Sequence, residues 1–164
     1  MRIDARPRAH KIAAVTGIGD LSRASERLVD EMIAVEIALG VEELRFGGAR
    51  GVDTVALCSA AFRRRSRTPR LRVLVPASIA ELSLVAAHAI EKYSDDVVEL
   101  GLPVCEPATY EARDRILVAG ARELLGFTDG CMFGGPAWRI KHAAAEGLIV
   151  TTCTVRPASV RRRR

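Results

Sequence analysis

The chain has 164 residues, of which 49% are hydrophobic and 27% are charged, values that are typical of a single globular domain and exclude wholesale disorder. No apolar run approaches the ~18–20 residues that span a bilayer, so we expect no membrane partner. The basic N-terminus is not followed by an apolar stretch, so we expect no secretory signal and a cytoplasmic location.

The formal net charge of +5 is concentrated at the two ends of the chain. Residues 161–164 are four arginines, and residues 1–11 carry four cations against one carboxylate, so residues 12–160 are slightly acidic. We therefore predict a basic N-terminal arm over 1–11, a folded domain over 12–155 and a basic C-terminal tail over 156–164. These arms are the charge-based support for a nucleic-acid partner.

In chain order, short apolar runs predict strands, and apolar residues recurring every three or four positions predict helices. The predicted elements are a strand over 12–16, a helix over 23–39, a strand over 44–46, a helix over 52–64, a strand over 71–75, a helix over 78–92, a strand over 97–100, a helix over 110–122, a strand over 124–128, a helix over 137–146 and a strand over 148–154. This alternation predicts an α/β protein with a Rossmann-like three-layer fold and a mostly parallel sheet of about six strands.

The four cysteines lie far apart in sequence, and no pair has the spacing of a zinc knuckle or a redox pair. The three histidines do not fall at ligand spacing with them either. We therefore predict no metal site and expect the cysteines to be small buried hydrophobic residues in a reducing compartment.

Three loops that follow predicted strands are rich in glycine: residues 16–20, 47–51 and 129–136. In a parallel sheet, ligands bind outside the carboxyl ends of the strands. Glycine lets the backbone approach a ligand closely, and free N–H groups at a helix start attract phosphate. The three loops together predict a ligand that carries phosphate.

Two common phosphate-binding motifs are excluded. Residues 17–22 (Gly-Ile-Gly-Asp-Leu-Ser) contain the first two glycines of the dinucleotide-binding fingerprint but have serine at the third position. The acidic residue expected at the end of the second strand is missing, which argues against a standard NAD dehydrogenase. No glycine is followed by Lys-Ser or Lys-Thr, so the chain has no P-loop.

The segment Gly47-Gly48-Ala49-Arg50-Gly51-Val52-Asp53-Thr54 resembles the signature of the SLOG superfamily, which includes the SMF/DNA-processing-protein-A and Lonely-Guy proteins. Three further matches follow in the right order: Tyr110 with Arg113-Asp114-Arg115, Phe127-Thr128-Asp129-Gly130, and Gly134-Gly135 at the start of a helix. The resemblance covers residues 12–155. It implies a Rossmann-like domain that binds a nucleotide or nucleotide derivative across the strand ends, and it also allows a homo-oligomer.

Two branches of this superfamily suggest alternative functions. The phosphoribohydrolase branch of Lonely-Guy type carries Pro-Gly-Gly-x-Gly-Thr and then a catalytic glutamate. This chain has Gly-Gly-Pro-Ala-Trp-Arg at residues 134–139, and the first glutamate after that segment is Glu146. An N-glycosidase would need Arg113 to grip the phosphate and Glu111 to assist the chemistry.

The DNA-processing branch carries Arg-Asn-Arg, where this chain has Asp114 in the centre. Stacking aromatic residues are scarce, and we expect Phe46 and Phe127 to lie in the core. A single-stranded-DNA-binding accessory protein of the DNA-processing type is the third hypothesis for the function.

We predict that the ligand contacts the three loops and the helices that follow them. Arg50 is placed to grip phosphate or to be solvated, Asp53 to bind a ribose or to stabilise a helix start, and Trp138 to stack on a base or to pack. A bulky residue at Gly48 is expected to abolish binding and leave the fold intact. The predicted ligand-binding residues are Thr16, Gly17, Gly19, Gly47, Gly48, Arg50, Gly51, Asp53, Arg113, Gly134, Gly135 and Trp138.

Overall fold

The computed structural model describes three stretches of the chain: residues 11–103, 106–131 and 133–158. The predicted basic arms lie outside these residues, except for Lys11 and residues 156–158. The elements are β1 (Ile12–Gly17), α1 (Arg23–Ala38), β2 (Glu43–Phe46), α2 (Val52–Arg63), β3 (Arg70–Val75), a 3-10 turn (Ile79–Glu81), α3 (Leu84–Tyr93), β4 (Asp96–Glu99), α4 (Pro107–Val118), β5 (Glu123–Thr128), α5 (Gly135–Ala145) and β6 (Ile149–Thr154).

The six strands form one sheet in the order β4-β3-β2-β1-β5-β6. All five neighbouring pairs are parallel. From β1 the chain steps outwards through β2, β3 and β4, and then α4 carries it back so that β5 pairs with β1. The strand order therefore reverses between β1 and β5, and at such a point the carboxyl ends of the strands leave a crevice.

Helices cover both faces of the sheet. On one face α1 packs against α2 and α2 against α3, while on the other face α4 packs against α5. Adjacent residues of β1 point to opposite faces, so Ala13 and Val15 contribute to the larger core and Ala14 to the smaller one. Phe46 and Phe127 are buried in the larger core, as predicted. The three-layer Rossmann-like prediction is confirmed.

Three helices begin at residues other than the predicted ones. The helix predicted over 78–92 is divided, since a capping box between Ser78 and Glu81 closes the 3-10 turn and a new helix begins after the cap Ser83. The next helix begins at Pro107 rather than at residue 110, because proline suits the first turn of a helix. The last begins at Gly135 rather than at residue 137.

The cysteines differ in their burial. Cys131 is exposed, which corrects the prediction that the cysteines are buried, whereas Cys58 and Cys153 are half-buried. Burial raises the pKa of both half-buried thiols, which favours their protonated form. Cys105 lies outside the described residues.

None of the helices in the described stretches combines the length and the apolar composition needed to cross a membrane.

Candidate ligand-binding site

The three glycine-rich loops lie at one edge of the sheet. They follow β1, β2 and β5, which are direct neighbours and run parallel, so their carboxyl ends point the same way. The helices that follow two of the loops, α2 and α5, begin after Gly51 and Gly134, and no side chain caps either helix start. The positive dipole ends of both helices therefore face this edge.

The first two loops pack directly against each other. The N–H of Val52 donates to the carbonyl oxygen of Ile18 at 3.1 Å. A Cβ on Gly51 would lie 2.5 Å from that same oxygen, and a Cβ on Gly17 would lie 2.4 Å from Cγ2 of Val52. Gly17 and Gly51 are therefore required for close packing between the loops, a role that the sequence did not distinguish from ligand approach.

Gly48 faces the core rather than open space. Its φ is +74°, and a Cβ there would lie 3.2 Å from Val73 and 3.3 Å from Val75. Both the left-handed backbone and the neighbouring side chains disfavour a larger residue. The expectation that a bulky residue at 48 leaves the fold intact is therefore wrong.

Arg50 and Asp20 form an ion pair of 2.7 Å across the first two loops. Both side chains are more than half exposed, at 63% and 59%, so this pair contributes little to stability. Gly19 lies beside it in open surroundings, with its nearest neighbour, the carbonyl oxygen of Arg50, 3.9 Å from an added Cβ.

Asp53 lies below these loops and is buried. Its Oδ2 accepts the N–H of Ala49 at 3.1 Å, which holds the second loop against the start of α2. Its Oδ1 is buried without a hydrogen-bond partner among the described residues. Burial raises the pKa of Asp53.

A buried ionic cluster joins α4, α5, β1 and the loop after β2. Arg113 donates from Nε to Oδ1 of Asp114 at 2.8 Å and from Nη1 to the carbonyl oxygen of Gly47 at 2.8 Å. Nε of Arg139 lies 2.8 Å from Oδ2 of Asp114, and its Nη1 donates to Oγ1 of Thr16. One carboxylate therefore holds two guanidinium groups, and burial lowers the pKa of Arg139.

The two arginines of the 113–115 run point in different directions, as their spacing predicts. Arg113 is buried, with its Cζ 5.5 Å from the ring centre of Tyr110. Arg115 is exposed and its Cζ lies 5.9 Å from the ring centre of Trp138, which also stacks on His142.

A cavity of about 630 Å³ lies between the starts of α4 and α5. Pro107, Tyr110 and Glu111 line it from α4, and Gly134, Gly135 and Trp138 line it from the third loop and α5. Asp114 and Arg139 of the ionic cluster also reach its surface.

The structure thus gathers only part of the predicted site around one cavity. Of the predicted binding residues, Gly134, Gly135 and Trp138 line it, together with the candidate acid Glu111. Thr16 and Arg113 belong to the ionic cluster and do not line the cavity. The remaining predicted residues belong to the first two loops and the start of α2: Gly17, Gly19, Gly47, Gly48, Arg50, Gly51 and Asp53.

Sequence reasoning missed Asp114 and Arg139 as members of the site. A signal was present in the helical spacing: Asp114 is three and four residues before the buried Leu117 and Val118, and Arg139 is four before the buried Ala143. A charged residue on the buried face of a helix indicates a paired charge. Among the described residues, no group of histidine, cysteine and carboxylate side chains is arranged to hold a metal ion.

Comparison with protein-family models and with curated protein sequences finds no match. Solved structures do match. DNA processing protein A from Helicobacter pylori, described for its single-stranded DNA binding mode, has a TM-score of 0.68 at 16% identity over 88% of this chain and 65% of that one. DNA processing protein A from Streptococcus pneumoniae has a TM-score of 0.67 at 20% identity over 93% of this chain and 52% of that one.

The molybdenum cofactor binding protein from the phototrophic bacterium Rippkaea orientalis has a TM-score of 0.63 at 17% identity, over 89% of this chain and 77% of that one. The described domain is thus a Rossmann-like α/β domain with glycine-rich loops at the carboxyl edge of a parallel sheet. In particular, it has the fold of DNA processing protein A and of the molybdenum cofactor binding protein, which is the fold that the SLOG resemblance implies.

Proposed function

We propose that this chain binds a nucleotide or a nucleotide derivative in the cavity between the starts of α4 and α5. The observation that carries the proposal is the cavity itself, whose volume of about 630 Å³ lies in the range of small-molecule sites. It opens at the edge where the strand order reverses, which is where α/β proteins bind ligands.

The lining suits both parts of such a ligand. Tyr110 and Trp138 offer aromatic faces for a base or a pterin ring. The glycines that open α5 leave backbone N–H groups free for phosphate. The first two glycine-rich loops, where Arg50 is exposed, lie at the same edge of the sheet.

A thermal-shift panel of AMP, ADP-ribose, NAD, a pterin phosphate and a short DNA oligonucleotide tests the proposal. We expect one small phosphate compound, present at 100 times its Kd, to stabilise the fold by ~2.7 kcal/mol and so to raise the melting temperature selectively. Replacing Trp138 with leucine is then expected to weaken that compound's binding roughly tenfold, since stacking on one aromatic residue is worth about 1–3 kcal/mol.

Phe62→Leu is the matched control, because Phe62 is an exposed aromatic residue near the end of α2, away from the cavity. Equal affinities of Trp138→Leu and Phe62→Leu would contradict the cavity as the binding site. If the oligonucleotide alone gives a shift, the DNA-binding reading is favoured, as the likeness to DNA processing protein A suggests. A variant without residues 159–164 then separates binding by the fold from binding by the arginine tail, because it keeps Arg156 and Ala158, whose backbones hydrogen-bond to Ser22 and Asp20.

Glu111 favours a second candidate function, that of an N-glycosidase, because this acidic residue lines the same cavity. Arg113 is a poor phosphate ligand in that reaction, since its guanidinium is buried against Asp114 and Gly47. Release of free base from AMP, lost in Glu111→Gln, would support the enzyme. Tight AMP binding without base release would favour a carrier or sensor.

A further inference from the structure

Arg139 is the one guanidinium group that lines the cavity among the described residues. The residue is only 7% exposed, and two of its three nitrogens are engaged by Asp114 and Thr16. The third nitrogen, Nη2, lies 3.1 Å from the position that a Cβ on Gly135 would occupy. Arg139 therefore reaches back from the second turn of α5 to the first turn of the same helix.

The first turn of α5 is itself open to an anion. No side chain caps the helix, and a Cβ on Gly134 would meet nothing within 4 Å. The N–H groups of Gly135 and Ala137 are among the first-turn donors that a helix leaves unpaired, while Pro136 has none to offer. Backbone donors and a buried guanidinium group thus converge on one place at the cavity wall.

The charge of the cluster below this place also favours an anion. Arg113 and Arg139 share the single carboxylate of Asp114. The buried carboxylate beside the cluster, Asp53, has its pKa raised by burial, which disfavours its negatively charged form. Glu111 is the one other carboxylate of the cavity lining, and it lies on α4, across the cavity from this turn.

We propose that Arg139 and the first turn of α5 form the subsite for the ligand's phosphate, with Asp114 and Thr16 holding Arg139 in position. This inference rests on the proposed function and sharpens it. It assigns phosphate recognition to Arg139, a residue of α5 that the sequence analysis did not include in the site. It also moves that role away from Arg50 and Arg113.

Inorganic phosphate is the simplest probe, followed in ¹⁵N NMR spectra of the full chain. We expect phosphate to shift the amide signals of Gly135 and Ala137 in a saturable way. The variant Asp114→Asn with Arg139→Gln removes one buried ion pair without changing the net charge, and it is expected to weaken phosphate at least tenfold. The matched control, Asp20→Asn with Arg50→Gln, removes the exposed ion pair and is expected to keep the wild-type affinity.

Unchanged phosphate affinity in the buried-pair variant would overturn the inference, and so would shifts confined to residues 48–51. If that variant does not fold, Arg139→Lys decides, because lysine keeps the charge but loses the guanidinium fork. The lysine variant is expected to bind phosphate three- to tenfold more weakly, and wild-type affinity in it refutes the assignment.

A comparison of AMP with adenosine separates this inference from the proposed function. We expect wild type to prefer AMP, and the buried-pair variant to lose that preference while still binding adenosine. Phosphate binding at α5 without binding of any compound in the nucleotide panel would refute the proposed function and leave the subsite standing. A preference for AMP that survives in the variant would refute the subsite and leave the proposed function standing.

Discussion

Replacing Asp114 with asparagine is expected to destabilise the fold strongly. The residue is 1% exposed, and its two oxygens lie 2.7 and 2.8 Å from the guanidinium groups of Arg113 and Arg139. Without the carboxylate, two buried cations lose their shared counter-ion, and breaking a buried pair in this way costs about 3–5 kcal/mol. For a domain of this size, that loss lowers the melting temperature by roughly 6–20 °C.

Urea unfolding at constant pH and salt measures the effect as a lower midpoint concentration of urea, while the slope of the unfolding free energy against urea concentration stays unchanged. Asp20→Asn is the matched control, since it removes one carboxylate from an ion pair whose side chains are 59% and 63% exposed. We expect a change of less than ~1 kcal/mol in that variant. If Asp114→Asn and Asp20→Asn shift the midpoint equally, the buried cluster does not organise the site as described.

Two further predictions concern stability away from the cavity. Burial, together with the neighbouring Glu123, raises the pKa of Glu36 from 4.5 to about 7. The Glu36 carboxyl group therefore binds its proton more tightly in the folded protein than in the unfolded chain. The stability that this proton contributes is lost as the pH rises from 4.5 to about 7. In urea titrations, the free energy of unfolding of Glu36→Gln should exceed that of wild type by roughly 1–3 kcal/mol at pH 8 and should equal it at pH 4.5. An equal gain at both pH values would contradict the raised pKa of Glu36. Gly17→Ala should lower the free energy of unfolding by about 1–3 kcal/mol in thermal unfolding, because its Cβ would lie 2.4 Å from Val52. Gly19→Ala is the control and should lower it far less, since its Cβ would have no neighbour closer than 3.9 Å. Equal melting temperatures of the two variants would refute the packing argument.

The order of strands and helices follows from the sequence because apolar periodicity is a local property. All six strands and the five helices appear where apolar runs and helical spacing predict them, with boundaries shifted by up to six residues. The shifts occur where capping chemistry competes with periodicity, as at Ser83 and Pro107. The parallel arrangement also follows, since each strand is separated from the next by a helix.

The edge at which the glycine-rich loops meet was likewise predictable, because parallel strands present their carboxyl ends together. The role of each glycine was not. Gly17 and Gly51 are glycines because another loop passes within contact distance, and Gly48 because its backbone is left-handed beside the core. Glycine at a strand end has the same appearance in sequence whether a ligand or a neighbouring loop requires it.

Only the tertiary structure decided which charged residues share the site. Arg139 and Thr16 lie 123 residues apart, and Arg113 and Gly47 lie 66 residues apart. These contacts exist because the chain reverses its strand order after β4 and inserts β5 beside β1, which brings α4 and α5 over the ends of the first strands. Periodicity and capping are encoded over a few residues, so they specify the elements. The meeting of distant charges depends on strand order, and burial then obliges those charges to pair.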